Sequence, residues 1–220
     1  MKLNFSVEVL SPIHLGSGQA DVNVDAEVIH DAYGMPYFPA RRLKGLLYES
    51  AVEVCEMGQL SKITALTNMP LDGLFHHEEN ESHVQLIVPN LYLHDKAGYP
   101  ALQTAWKALQ AKYKEFLQPA DVLQQYTSLR YQTKLENGVA FKGSLHNMRV
   151  VKAGVKFSGV IGLEGEEAEK YLVLLAAACC NLRTAGLKRN RGFGRIRCDF
   201  QEAGNEKRTA RSILKEVQAG

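Results

Sequence analysis

The order of elements along the chain predicts an α+β fold: a ferredoxin-like (RRM-like) split βαβ core with a projecting thumb hairpin and a helical insertion. Three observations carry this. With residues 58–128 set aside, the hydrophobic period switches in the order strand, helix, strand, strand, helix, strand. The pair Asn137-Gly138, a strong two-residue hairpin signal, stands between short strand-like runs. A strongly apolar helix, from about Glu166 to Leu182, leads into the last strand.

Each element has its own reason. Leu3, Phe5, Val7 and Val9 alternate with polar residues, so residues 2–10 are a half-buried strand. Ser11-Pro12 ends it, and His14 to Gly18 form a tight loop. Asp21 to Ile29 begins polar and then reads as a short strand through Ala26 and Val28. Pro36 and Pro39 keep the next segment extended. From about Arg41, the stripe Leu43, Leu46, Leu47, Ala51 and Val54 marks a helix that Gly58 can stop. Residues 60–83 hold the polar tract His76 to Glu81 and read as an exposed insertion. Residues 84–93 are a strand whose Pro89 places it at an edge or a bulge. Residues 101–117 are a helix candidate, 129–147 the thumb, and 148–163 a long strand or pair broken at Ala153-Gly154. Residues 193–200 are the last strand of a single domain over 1–203, and 204–220 a polar tail, loose or weakly helical.

Composition narrows the function classes. With 220 residues the chain can bury a full core, and 26 Lys and Arg against 24 Asp and Glu leave a net charge of +2. Anion binding must therefore come from local clustering. The four cysteines, Cys55, Cys179, Cys180 and Cys198, show no metal-binding spacing and read as buried, reduced thiols of a cytoplasmic protein. The N-terminus alternates like a strand and lacks the shape of a secretion signal. The most apolar run, Tyr171 to Cys180, is too short to cross a membrane.

The densest chemistry lies at 186–197. Gly186, Gly192 and Gly194 are interleaved with Lys188, Arg189, Arg191, Arg195 and Arg197, and no acid interrupts them. Glycine lets backbone N–H groups approach a ligand, and the cations suit phosphate. The stretch from Arg191 matches part of the RNA-recognition octapeptide, but Arg195 and Cys198 stand where base-stacking aromatics belong. Arg41, Arg42 and Lys44 open the first helix, whose N-terminus favours anions. His14 is a candidate phosphate contact or general base. Asp21, Asp25 and Asp31 are spaced carboxylates able to meet a divalent cation, although turn acids are the better reading of that spacing alone. His76, His77 and His83 with Glu78 and Glu79 form only a loose metal pattern. Arg130, Lys134 and Lys142 make the hairpin basic.

Three separated segments together resemble the RAMP superfamily of CRISPR-associated proteins. The first runs from Leu10 through Pro12, His14, Gly16 and Gly18 to His30-Asp31, Gly34 to Pro39 and Leu43-Lys44-Gly45. The second is Gln132 to Ala140 with Gly154 to Phe157, and the third is Gly186 to Gly194. The chain departs from the family pattern in a short loop from His14 to Asp25, in Ala40-Arg41-Arg42 before Leu43, and in His30 before Asp31. Within the family it is most similar to the backbone subunit of type III effector complexes. The resemblance implies guide CRISPR RNA and complementary target RNA as partners, together with other CRISPR-associated subunits and further copies of the chain, in antiviral defence. It implies that Lys44, Lys188, Arg189 and Arg191 hold the guide, and that the hairpin kinks the guide–target duplex. In active members an aspartate at the position of Asp25 cleaves target RNA as an endonuclease with a divalent metal such as Mg2+. Two other readings stay open: a subunit capping the guide's end, and a guide-processing endoribonuclease using His14.

Overall fold

The computed structural model describes residues 1–21, 23–60, 71–75, 84–94 and 98–219. The polar tract 76–83 lies outside them. The first strand, β1 (Lys2–Val9), alternates as its sequence requires: Leu3, Phe5, Val7 and Val9 are buried, and the residues between them are not. It is central in a sheet of β10 (Asn205–Thr209), β9 (Ile196–Glu202), β1, β8 (Lys156–Glu164) and β2 (Gln85–Ile87), in that spatial order. A short β3 (Tyr92–Leu93) also pairs with β8, and every pairing is antiparallel. Pro89 is the reason the expected strand 84–93 becomes two: a residue without an N–H cannot continue the ladder.

Helices α1 (Ala40–Leu60) and α5 (Ala168–Asn181) pack on each other and share one core with the apolar sheet face. The predicted stripe of α1 is buried. Ser50 in its middle donates to the carbonyl of Ala178 on α5 at 2.8 Å, which satisfies a buried hydroxyl across the helix contact. The α1 N-terminus is capped from outside, where Asn90 Oδ1 accepts the Ala40 N–H at 2.8 Å. Gly58 does not stop α1, which continues to Leu60 with Gly58 buried inside it. The thiols of Cys55, Cys179 and Cys198 are buried. Burial pushes the Cys198 thiol up to about 12, which keeps it protonated and unreactive.

The inserted region holds α2 (Leu71–Phe75), α3 (Tyr99–Lys112) and α4 (Pro119–Tyr126). The expected helix over 101–117 is therefore displaced. It ends at Lys112, and Gln118 and Asp121 form the capping box that starts α4 at Pro119. No residue of α3 is buried; it rests on the body through partly buried Tyr99, Leu102 and Trp106. The expected short strand within 21–29 reduces to isolated bridges, Gly16 with Val28 and Asp21 with Val24, because this loop closes on itself.

The expected polar tail needs correction. Residues 205–209 form edge strand β10, and α6 (Ala210–Ala219) follows and packs on α5. Ala210 and Ile213 are buried and Leu214 partly so, three positions of a helical stripe that polar neighbours disguise in the sequence. Arg208 fastens the segment through Glu169 at 2.7 Å and Glu202 at 3.1 Å.

The thumb is longer than its sequence signal. β4 (Thr127–Gln132) pairs with β7 (His146–Val151) at the root, and β5 (Leu135–Glu136) with β6 (Val139–Ala140) at the tip. Asn137 (φ 51°) and Gly138 (φ 81°) make the left-handed turn that their identities predict.

Candidate nucleic-acid interface

The glycine-rich loop joins α5 to β9. Its neck is closed by Ala185 N–H to Gly194 O at 2.8 Å and Ile196 N–H to Arg183 O at 2.9 Å. Its tip is a single 3-10 turn, Arg189–Arg191, between left-handed Lys188 (φ 58°) and Gly192 (φ 80°). Gly186 and Gly194 serve the chain's own packing. A Cβ on Gly186 would lie 2.7 Å from the His14 carbonyl oxygen, and one on Gly194 would lie 1.9 Å from that of Ala185. Gly192 faces open space and supplies only its φ. The arginines are thus presented by a rigid loop seated on residues 12–14, where Gly194 N–H meets Pro12 O at 2.8 Å. Gly194→Ala is expected to destabilise the fold by at least about 2 kcal/mol, from the left-handed φ and the overlap together. Gly192→Ala, with open space, should lose only about 1–2 kcal/mol. Urea unfolding of both variants checks the difference, and equal losses would show that the overlap does not decide.

A cavity of about 700 Å3 opens between this loop, the loop after β1 and the start of α1. It brings together four predicted residues: His14, Asp25, Arg42 and Arg189. Arg42 donates through Nη2 to the Gly16 carbonyl at 3.1 Å, while its Nη1 is buried and meets no acceptor among the described residues. Burial lowers the Arg42 pKa, so the site holds a cation that is partly withdrawn from solvent. Such a donor favours an anionic oxygen. Arg189, half exposed, makes a long contact to Glu49 at 3.9 Å, its one ion pair among the described residues and a surface pair worth about 0–1 kcal/mol. His14 is 2% exposed, and its Nδ1 donates to the Arg149 carbonyl at 2.7 Å. Its ring lies so close to Gly16 that a Cβ there would be 2.7 Å from Nε2. The histidine therefore braces the cavity floor.

The thumb root grips this cavity. Asp25, exposed, exchanges two hydrogen bonds with Asn147: its N–H donates to Asn147 Oδ1 at 2.9 Å, and its Oδ2 accepts the Asn147 N–H at 2.7 Å. Asn147 Nδ2 also donates to the Asn23 carbonyl at 3.0 Å. Two residues along β7, Arg149 pairs with Glu27 at 2.8 Å, both side chains nearly buried at 12% and 11% exposure. The ammonium of Lys188 donates to Gln132 Oε1 and lies 3.3 Å from His146 Nε2, so it ties the loop tip to the thumb. Arg41 is exposed and Lys44 half-buried on α1, and neither lines the cavity. Arg130 and Lys142 project from the thumb, and Lys134 lies over the Phe141 ring at 5.3 Å.

The three spaced aspartates do not converge. Asp31 accepts N–H groups from Tyr33 and Met35 at 2.9 and 2.8 Å and the Tyr99 hydroxyl, which makes it a turn residue. Among the described residues, no three His, Cys, Asp or Glu side chains are grouped as a metal cage would need. His76, His77, Glu78, Glu79 and His83 lie outside them.

Sequence reasoning missed Asn147, Arg149 and Glu27. The available signal was a lone acid in Ala26-Glu27-Val28 and a lone base in Met148-Arg149-Val150, opposite charges inside apolar runs. Among the described residues, no helix is long and apolar enough to cross a membrane.

No curated protein matches the chain. Its fold is similar to that of solved structures, among them two from type III-B complexes. One is a chain of the type III-B Cmr-beta complex bound to cognate target RNA, 13% identical, with TM-score 0.59 over 97% of this chain and 98% of that one. The other is from the apo state of type III-B Cmr-beta, 14% identical, with TM-score 0.61 over 91% and 97%. The model of the RAMP superfamily matches residues 6–197, spanning β1, the cavity, the thumb and the glycine-rich loop, and the chain belongs to that superfamily.

Proposed function

We propose that this chain is an RNA-binding subunit of a type III CRISPR effector complex, holding guide RNA by its sugar-phosphate backbone. The observation that carries the reading is the cavity where Arg42 presents a buried donor without an acceptor and Arg189 stands beside it. Cationic donors of this kind suit a phosphate chain, and sequence recognition is then left to guide–target pairing. The antiparallel order β9-β1-β8-β2 with α1 and α5 on its apolar face supports the ferredoxin-like, split βαβ reading. Tyr131, Leu135, Val139 and Phe141 on the thumb are 50–70% exposed, apolar surface fit to wedge into a guide–target duplex. Further copies of the chain and other effector subunits are its protein partners on this reading, and the cytoplasm is its place of action.

Asp25 is the proposed cleaving residue toward target RNA. Its Oδ2 is fixed by Asn147, which leaves Oδ1 for the substrate. A Mg2+ ion here would have Asp25 as its protein ligand, with phosphate oxygens and water completing the shell, the common habit of this ion. It would supply charge at the phosphate.

Guide binding by filter retention across a salt series tests the RNA reading. Reversing charge at Arg189 and Arg191 together should weaken binding about equally for unrelated guide sequences. It should also reduce the salt slope by about 0.7 per lost phosphate contact. Unchanged affinity would overturn the phosphate-cradle claim. Copy number in the purified complex separates a repeated backbone subunit from a cap at the guide's end.

A further inference from the structure

Asp25 sits on a loop whose own hydrogen bonds are few. Asp21 and Val24 pair their backbones, Glu27 N–H reaches Gln19 O at 3.0 Å, and Ser17 N–H reaches Glu27 O at 2.9 Å. Residues 23–27 are fixed to the rest of the protein by β7, while Arg42 on α1 holds Gly16 of the same loop at 3.1 Å. Asn147 supplies two bonds to Asp25 and one to Asn23. Arg149 supplies its N–H to Ala26 O at 2.9 Å and its guanidinium to Glu27. The same strand is half of the thumb root, where Asn147 stands opposite Tyr131 and His146 opposite Gln132, the partner of Lys188. The loop that carries the carboxylate therefore meets the thumb at one strand: the Asn147 N–H holds the Asp25 carboxylate, and the Asn147 side chain holds the backbone of Asp25 and Asn23.

We infer that Asn147 is a positioning residue that transmits the placement of the thumb to Asp25. The inference rests on the reading of Asp25 as the cleaving residue and adds how that residue is controlled. An amide fits the joint because it presents an acceptor and a donor at once: Oδ1 takes the Asp25 N–H while Nδ2 reaches Asn23 O. A strand can tilt only as a unit, so displacement of the thumb by a duplex shifts residues 146–149 together. Loop 23–27, held by Asn147 and Arg149 on that strand, must follow. Seating the duplex on the thumb sets where the Asp25 carboxylate points, and a poorly seated duplex leaves it misaligned. Small misplacements of a reacting group are costly in rate, so this joint acts on turnover and leaves affinity alone.

The test uses the assembled complex with guide and a complementary RNA. In the wild type, target RNA should slow amide exchange in the peptide spanning residues 17–27. In Asn147→Ala, which removes both side-chain bonds to the loop and keeps the residue's N–H, this slowing should fall at least about twofold, target affinity should stay within about twofold, and single-turnover cleavage should fall at least about tenfold. Retained slowing with an undiminished rate would overturn the inference. So would parallel losses of affinity, rate and thermal midpoint, which mark a merely structural residue. If Asp25→Ala cleaves at the wild-type rate, the cleavage reading fails on its own. The exchange comparison still decides the coupling, because it does not depend on turnover.

Discussion

Arg149→Ala should lower the free energy of unfolding by about 3–5 kcal/mol. Arg149 and Glu27 are both nearly buried, at 12% and 11% side-chain exposure, and meet at 2.8 Å. Removing the guanidinium leaves the Glu27 carboxylate in a poorly solvated place, where among the described residues it keeps the Val28 N–H at 2.8 Å as its donor. It also takes a donor from Thr127 Oγ1 at 3.4 Å. The penalty is therefore the cost of an orphaned charge. It exceeds what the pair contributes over an apolar replacement. Glu27→Leu with Arg149→Met should accordingly recover much of the loss, since no charge is left unpaired. Urea unfolding of the three proteins checks both statements. A loss below about 1 kcal/mol for the single variant would mean that water reaches Glu27, and the thumb root would then not be held by this pair.

This pair shows where sequence reading succeeds and stops. The alternation in β1 and the stripe in α1 are legible because one periodic face meets one core, and both are buried as read. The Asn137-Gly138 turn is legible because few residues accept its left-handed conformation. Glu27 and Arg149 are far apart in the chain, and their pairing follows only from the register that brings β7 against the loop after β1. The glycine-rich loop illustrates the same limit within the site. Its charge is plain in the sequence, but the sequence does not say that Lys188 is committed to Gln132 while Arg189 keeps only a weak partner. Nor does it say that Gly186 and Gly194 are required by His14 and Ala185 carbonyls. The packing of α6 was hidden differently: its apolar stripe is short, and only contact with α5 gives it a reason to be ordered.

Asp25→Ala should abolish cuts at regular intervals in complementary target RNA, a loss of about 10²–10⁴-fold, while guide binding persists. His14 is the competing candidate, and the two residues line one cavity, so the contrast between them is informative. Asp25 is exposed and lines the cavity, with its Oδ2 held by the Asn147 N–H. His14 is buried, its Nδ1 proton is given to the Arg149 carbonyl, and its ring is walled by Gly16. A general base must reach the proton it removes, and His14, buried and hydrogen-bonded through Nδ1, is the less accessible of the two. His14→Ala should therefore act on stability, by about 1–3 kcal/mol for the orphaned carbonyl, and leave precursor processing unchanged. Gel analysis of labelled target and precursor RNAs separates the outcomes. Loss of processing in His14→Ala, with target cuts intact in Asp25→Ala, would make the protein a processing nuclease. The phosphates gathered by Arg42 and Arg189 would then belong to its substrate.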